Sequence, residues 1–533
     1  MPWIHTSSDS LRILAASLRK PTRVAAGSPR SDDIRMLPWS CFDPPRQAWG
    51  VLIALLAVYA IAFAACYPSA ITVSDEGNYI RESRLLLAGT TKLERPDAFS
   101  GEMRAVQTIL YPIGTALLMA PFVWLAGWQG AFVSSFLCLL VGVLVTARWL
   151  QDEGRSPLFA ALILGFPPTL VMARVAMSDV PSMAVGALGL WLFWRGLERG
   201  WLPWFASGLV AGASMTIRDS NCLLFAPLFA GAVLRRERRS WALLVGGLVG
   251  VGLRCLAAWL AFGDPFYSKD TYPFSPGTIA ERLPFYLLAL LVCVPGGLVF
   301  ALAYRGKRRV EVVTTVVIFF FFYLLQGFSI AASALEKRAV LSLRYFIPLL
   351  PLLAFATAEA APRIWRRVLA RQGPERQRAL TRAAGIAVAA WLLAVALGAG
   401  LLNWGHSRWS WSQAEIRAEI ERHTLEAPVI ITNWRATGKF FDLMREARLP
   451  LRRDAVNSES IEWLLGRHGK VVVVLLDRAD SPFWREESRR NELFLALLLT
   501  RPSVELDRAV TSTDRLRIYS LTHPAAAAAP PLP

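Results

Sequence analysis

Residues 49–66 read WGVLIALLAVYAIAFAAC, and residues 67–79, directly behind them, read YPSAITVSDEGNY. The first stretch carries no charge and is long enough to cross a bilayer as one helix, the form in which a backbone satisfies its own amides inside lipid. Within ten residues of its end stand two adjacent carboxylates, Asp75 and Glu76. Together they describe a membrane helix that runs straight into a charged loop, with acidic chemistry at the membrane boundary.

The rest of the chain extends this pattern. Of 533 residues, 54% are hydrophobic and only 18% charged, and the mean hydropathy is +0.39. Soluble domains hold roughly 45–50% apolar and about 25% charged residues, so a soluble enzyme is excluded. Apolar runs at 49–66, 131–150, 158–175, 180–197, 202–217, 220–234, 240–262, 283–304, 310–330, 345–361 and 383–402 predict about eleven spans. The fifth and sixth are short. A further apolar run, 109–127, holds Pro112 and Pro121. Counting it as a span would place the basic N-terminus opposite every later basic loop, so it is expected to be a juxtamembrane helix at the outer face.

The net charge of +18 tests that map. The segments assigned to the inner side carry +16 of it, and the outer loops between spans net zero. Such asymmetry is the positive-inside pattern, with a cytoplasmic N-terminus and an extracytoplasmic C-terminus. Basic residues sit in short clusters between apolar runs and do not alternate with aromatics in a polar domain, which argues against nucleic acid as a partner. Membrane lipids are the expected surroundings. Six cysteines show no paired spacing, and none lies beyond Cys293.

The domain organisation follows. Residues 1–47 form a polar cytoplasmic arm, too long and too polar for a signal peptide, and 49–66 reads as an uncleaved first span. Residues 48–402 form the transmembrane domain, with the first outer loop at 68–130. Residues 403–523 read as a small extracytoplasmic α/β domain. Its expected strands are 429–432, 471–476 and 516–519, and its expected helices 436–447, 458–467 and 484–498. Residues 524–533 are an Ala/Pro tail. The expected fold is therefore mostly α and polytopic, with a small α/β domain outside.

Several charged residues converge on the outer face. Asp75 and Glu76 open the first loop. Their plainer reading is a helix start, with Ser74 or Asp75 as cap and Glu76 favouring the helix dipole; the chemical one is a general base for an acceptor hydroxyl or amine. Asp179, in Ser178-Asp179-Val180-Pro181, is likewise a good helix start and lies on the same face. Arg218, Lys337, Arg338 and Arg344 stand at outer boundaries, against the positive-inside bias. They either bind phosphate by charge-assisted hydrogen bonds or pair locally, for example Arg218 with Asp219 and Glu336 with Arg338. Arg254, inside a run, is left unassigned. No Walker A loop, no G-x-G-x-x-G and no Cys/His cluster appears.

In order and spacing, Asp75-Glu76-x-x-Tyr79 after the first span, the surface helix at 109–127, Ser178-Asp179-x-Pro181, Arg218 and Arg344-Tyr345-x-x-Pro348 resemble the GT-C membrane glycosyltransferases. The likeness is greatest to the branch with the protein mannosyltransferases and the bacterial aminoarabinose transferases, and covers roughly 49–402. It implies a polyprenyl-phosphate-linked sugar as donor and an extracytoplasmic glycan, lipid or protein as acceptor, with inversion at the anomeric carbon, in a bacterial inner membrane. It also implies roles: Asp75 as base, Glu76 shaping the site, Asp179 positioning the acceptor or a cation. Arg218 and Arg344, with Lys337 or Arg338, would hold the leaving phosphate, and Tyr79 and Tyr345 would contact substrate. A divalent cation is compatible with these carboxylates and not required. The alternative is a transporter of a lipid-linked sugar or other anionic amphiphile, which would place charges mid-span and show inverted repeats.

Overall fold

The computed structural model describes residues 45–97, 99–269, 274–326, 342–425, 427–433, 450–478, 482–498, 503–509 and 514–522. The expected helix at 436–447, the N-terminal arm up to residue 44 and the Ala/Pro tail lie outside the described residues, as do Lys337 and Arg338.

The protein is mostly helical, and six of its described helices are long and apolar enough to cross a membrane. The first span is α1, Pro45–Ala65. Ser74–Leu87 forms α2, which carries the Asp75-Glu76 pair in its first turn. A hairpin follows, β1 (Lys92–Pro96) against β2 (Met103–Thr108), which the charged sequence had not suggested. The apolar run at 109–127 becomes α3, Gly114–Ala126, and leads through a 3-10 turn into α4, Ala131–Asp152. These two are not one rod. Gly127 adopts φ +65°, and a side chain at Gly130 would collide with the carbonyl of Phe122, so the chain turns sharply between them.

The expected span at 158–175 is not a continuous helix. It breaks into a 3-10 turn (Pro157–Ala160), α5 (Ala161–Leu164) and α6 (Pro167–Met172). Gly165 ends one piece and Pro167-Pro168 starts the next, because proline offers no N–H to carry the ladder across. Its residues are nonetheless deep in the bundle, with Phe166, Ala173 and Arg174 fully buried. Then come α7 (Asp179–Arg199), α8 (Trp201–Ala213), α9 (Cys222–Leu234) and α10 (Ser240–Phe262). The expected span at 283–304 also divides, into α11 (Ile279–Cys293) and α12 (Gly297–Leu302), at Pro295-Gly296. α13 (Arg309–Leu325), α14 (Leu350–Leu369) and α15 (Pro374–Thr424) complete the bundle.

Close packing between α8 and α10 comes from facing small residues. Gly208 and Gly212 oppose Gly246 and Gly250, and a Cβ on any of the four would strike the partner backbone. In lipid, where apolar contact alone drives little association, such spacing lets helices approach.

The change of composition near 403 falls inside α15, which runs on for 51 residues and enters the α/β domain without a break. That domain contains β3 (Val429–Thr432), β4 (Leu451–Arg452), α16 (Ser458–His468), β5 (Lys470–Arg478), α17 (Pro482–Leu498), β6 (Ser503–Ala509) and β7 (Asp514–Thr522). The sheet order is β4-β3-β5-β7-β6; β3 is parallel to β4 and β5, while β7 is antiparallel to β5 and β6. The run of β5 is buried on both faces: Val471, Val473 and Leu475 pack on one side, Val472, Val474 and Leu476 on the other with Ile416 and Ile420 of α15. The loop hairpin docks here too, with Leu93 and Phe99 against the two cores and Phe99 5.8 Å from the Trp463 ring.

Candidate active site

The acidic pair sits at the start of α2 because the chain must leave α1 and turn. Neither Ser74 nor Asp75 caps the helix, contrary to the plainer sequence reading; the N-cap residue is Val73. Glu76 closes the end. Its Oε2 accepts from the backbone N–H of Thr72 (2.7 Å) and of Val73 (3.3 Å), and its Oε1 accepts from the N–H of Ala176 (3.0 Å). Ala176 lies three residues before Asp179. One fully buried carboxylate therefore ties the Asp75 helix to the Asp179 loop. Burial pushes its pKa up to about 7 against the lowering effect of those donors.

The two aspartates differ in access. Asp179, the first residue of α7, is fully buried, and its Oδ1 is 2.9 Å from Nη1 of Arg218. Asp75 is 37% exposed, and its Oδ2 is 3.9 Å from Nη2 of Arg344. Only Asp75 can meet an incoming group. Arg218 pairs with Asp179 and not with its neighbour Asp219, which instead binds Arg254 at 3.1 Å. Arg254 also donates to the carbonyl of Pro265 (2.8 Å) and that of Tyr267 (2.5 Å), so this cation left unassigned by sequence holds the loop behind α10.

Both site guanidiniums lie on one ring. Arg218 is 5.2 Å and Arg344 5.0 Å from the Tyr345 centroid, and Tyr345 stacks on Tyr323 at 5.0 Å. Nη2 of Arg344 donates to the Tyr345 hydroxyl (3.3 Å), while its Nε and Nη1 are buried without a hydrogen-bond partner among the described residues. These are strong donors in a place where an anion's oxygens would satisfy them.

Tyr79 is buried and stacked at 4.4 Å on Tyr111. Tyr111 in turn is close enough to Asp75 to feel its charge. Sequence reasoning did not find Tyr111, nor Lys269, whose ammonium lies 3.7 Å from the Tyr111 centroid and acts on Asp75 through its charge. It also missed Glu82, buried in α2, which accepts from the N–H of Leu110 (2.8 Å) and of Tyr111 (3.1 Å) and is pushed up to about 8 by burial. An acidic residue two helical turns after Asp75 was the available signal. The fold brings Asp75, Asp179, Arg218, Arg344 and Tyr345 near one another, with Glu76 and Tyr79 buried beside them. Among the described residues, no group of three or more His, Cys, Asp or Glu side chains is placed to hold a metal ion.

No family model and no curated protein matches the chain. Among solved structures, ArnT from Cupriavidus metallidurans in the apo state superposes with a TM-score of 0.58. The match spans 91% of this chain and 100% of that one, at 16% sequence identity. The fold is ArnT-like.

Proposed function

We propose that the protein is an integral-membrane glycosyltransferase that moves a sugar from a polyprenyl-phosphate donor to an extracytoplasmic glycan, lipid or protein. One observation carries this reading: an accessible carboxylate, Asp75, lies beside Arg344, whose remaining N–H donors are buried and free for an anion. The ArnT-like fold and the sequence resemblance to the branch with the aminoarabinose transferases support it.

The chemistry balances on these residues. Asp75 takes the proton of the acceptor hydroxyl or amine as that atom attacks the anomeric carbon. The bond from this carbon to the phosphate oxygen breaks, and its electron pair stays on the phosphate. Arg344 and Arg218, spread over the Tyr345 ring, stabilise the growing charge. Asp179 keeps Arg218 aimed at the site, and Lys337 and Arg338 are assigned to the same phosphate from sequence alone. Tyr345 and Tyr79 line and underpin the substrate side. Nucleotide motifs are unnecessary, because the donor is already activated. With the site on the outer side of a bacterial inner membrane, the N-terminus is cytoplasmic and the α/β domain extracytoplasmic, as the charge asymmetry supports.

The test uses the full chain in lipid nanodiscs with a panel of polyprenyl-phosphate sugars. Release of polyprenyl phosphate that depends on acceptor, and is lost in Asp75→Asn with insertion intact, is the expected result. Full release in Asp75→Asn refutes the base.

A further inference from the structure

The segment that joins α1 to Asp75, residues 66–73, is held from one side by a polar stripe on α15. Asn403, His406 and Ser410 follow a three-then-four spacing, so they share one face of the helix just beyond its apolar run at 383–402. All three are buried. Ser410 Oγ accepts from the backbone N–H of Ser69 (2.8 Å) and of Ala70 (2.9 Å). Asn403 Oδ1 accepts from Nη1 of Arg174 (2.5 Å), and Nη2 of the same guanidinium donates to the carbonyl of Cys66.

His406 closes the arrangement. Its Nδ1 accepts from Nε of the fully buried Arg174 (3.2 Å). A guanidinium only donates, so Nδ1 is unprotonated and the ring proton is on Nε2. Nε2 then donates to Thr72 Oγ1 (3.2 Å), whose own proton points to Glu76 Oε2 (3.3 Å). The chain of donors runs Arg174, His406, Thr72, Glu76, and every member has one direction available. Glu76 is the carboxylate that fixes the first turn of α2 and the Asp179 loop.

We infer that His406 is a positioning residue: through Thr72 and Glu76 it holds the turn that presents Asp75, so α15 sets the geometry of the base. The catalytic consequence rests on the transferase reading; the mechanical one does not.

The experiment uses the full chain in nanodiscs with His406→Leu, His406→Gln and Thr72→Val. Hydrogen exchange in 67–76 is expected to speed up in His406→Leu and in Thr72→Val, with 240–262 unchanged. With a polyprenyl-phosphate sugar, kcat should fall about 10–100-fold at a donor KM within about twofold, since small displacements of a base cost that much. His406→Gln, whose amide can accept from Arg174 and donate to Thr72, should recover kcat to within about fivefold. The inference is overturned if exchange in 67–76 is unchanged in His406→Leu, or if KM moves and kcat does not. It is equally overturned if Gln is no better than Leu. Should His406→Leu fail to fold, unchanged exchange in Thr72→Val overturns it. A wild-type protein without transfer activity whose 67–76 exchange still answers to His406 refutes the transferase reading and leaves the positioning role standing.

Discussion

Glu76→Gln separates the charge of this side chain from its shape. The carboxylate accepts at both oxygens: Thr72 and Val73 on Oε2, Ala176 on Oε1. An amide has one accepting oxygen. The better placement leaves it on Thr72 and Val73 and turns the NH2 towards the N–H of Ala176, so donor faces donor and one buried bond is lost. The cost is about 1–3 kcal/mol. A second effect depends on pH. Burial raises the folded pKa to about 7 from the ordinary 4.5, so the folded state holds the proton more tightly than the unfolded chain. The stability that Glu76 contributes is therefore full below about 4.5 and falls as pH rises through 7, by roughly 2–3 kcal/mol between pH 5 and 8. Glutamine has no proton to lose. Glu82, raised to about 8 in the same way, gives a falling background that is common to both proteins. The difference between wild type and variant, measured by chemical unfolding in detergent at pH 5, 6, 7 and 8, isolates Glu76. The variant should be less stable than wild type at pH 5, and the gap should narrow by about 2–3 kcal/mol by pH 8. A difference that is constant or grows with pH refutes the assignment of Glu76 as a buried carboxylate of raised pKa.

Three further outcomes follow from single contacts. Arg344→Ala removes the unsatisfied Nε and Nη1 donors and should lower kcat/KM for the lipid-linked donor by about 10²–10³-fold, as loss of a charge-stabilising donor does; an unchanged value in the release assay removes Arg344 from phosphate binding. Arg218→Met strands the buried Asp179 and should cost about 3–5 kcal/mol, most of it recovered in Arg218→Met/Asp179→Leu, since removing both charges restores balance. Unfolding that ranks the double variant no better than the single one contradicts the pairing. Gly246→Leu drives a side chain into the backbone of α8 and should destabilise by about 1–3 kcal/mol, whereas Gly252→Leu on the same helix has open space and should be tolerated; equal melting of the two would deny the close α8–α10 contact.

What the sequence could disclose was what can be priced locally. Burying a charge in lipid is expensive, so an uncharged run such as 240–262 identifies itself, and α10 has those bounds. For the same reason Asp75, Arg218 and Arg344 stood out at the ends of runs. The helix breaks at Pro167-Pro168 and Pro295-Gly296 were written in residues but hidden by averaging, because hydropathy does not register a missing N–H. The β1–β2 hairpin stayed hidden because its strands, KLERP and MRAVQT, present no alternating face; their partner surface is the α/β domain, hundreds of residues away. The site's inner half was illegible on the same ground. Tyr111, Arg174 and His406 have no local signature, and the Thr72–His406 contact joins positions 334 residues apart. A polar residue in an apolar helix reads as a cost whose return lies elsewhere, and sequence alone does not say where. Here the return is geometry: the charges that sequence could find are held in place by neutral and paired groups that it could not.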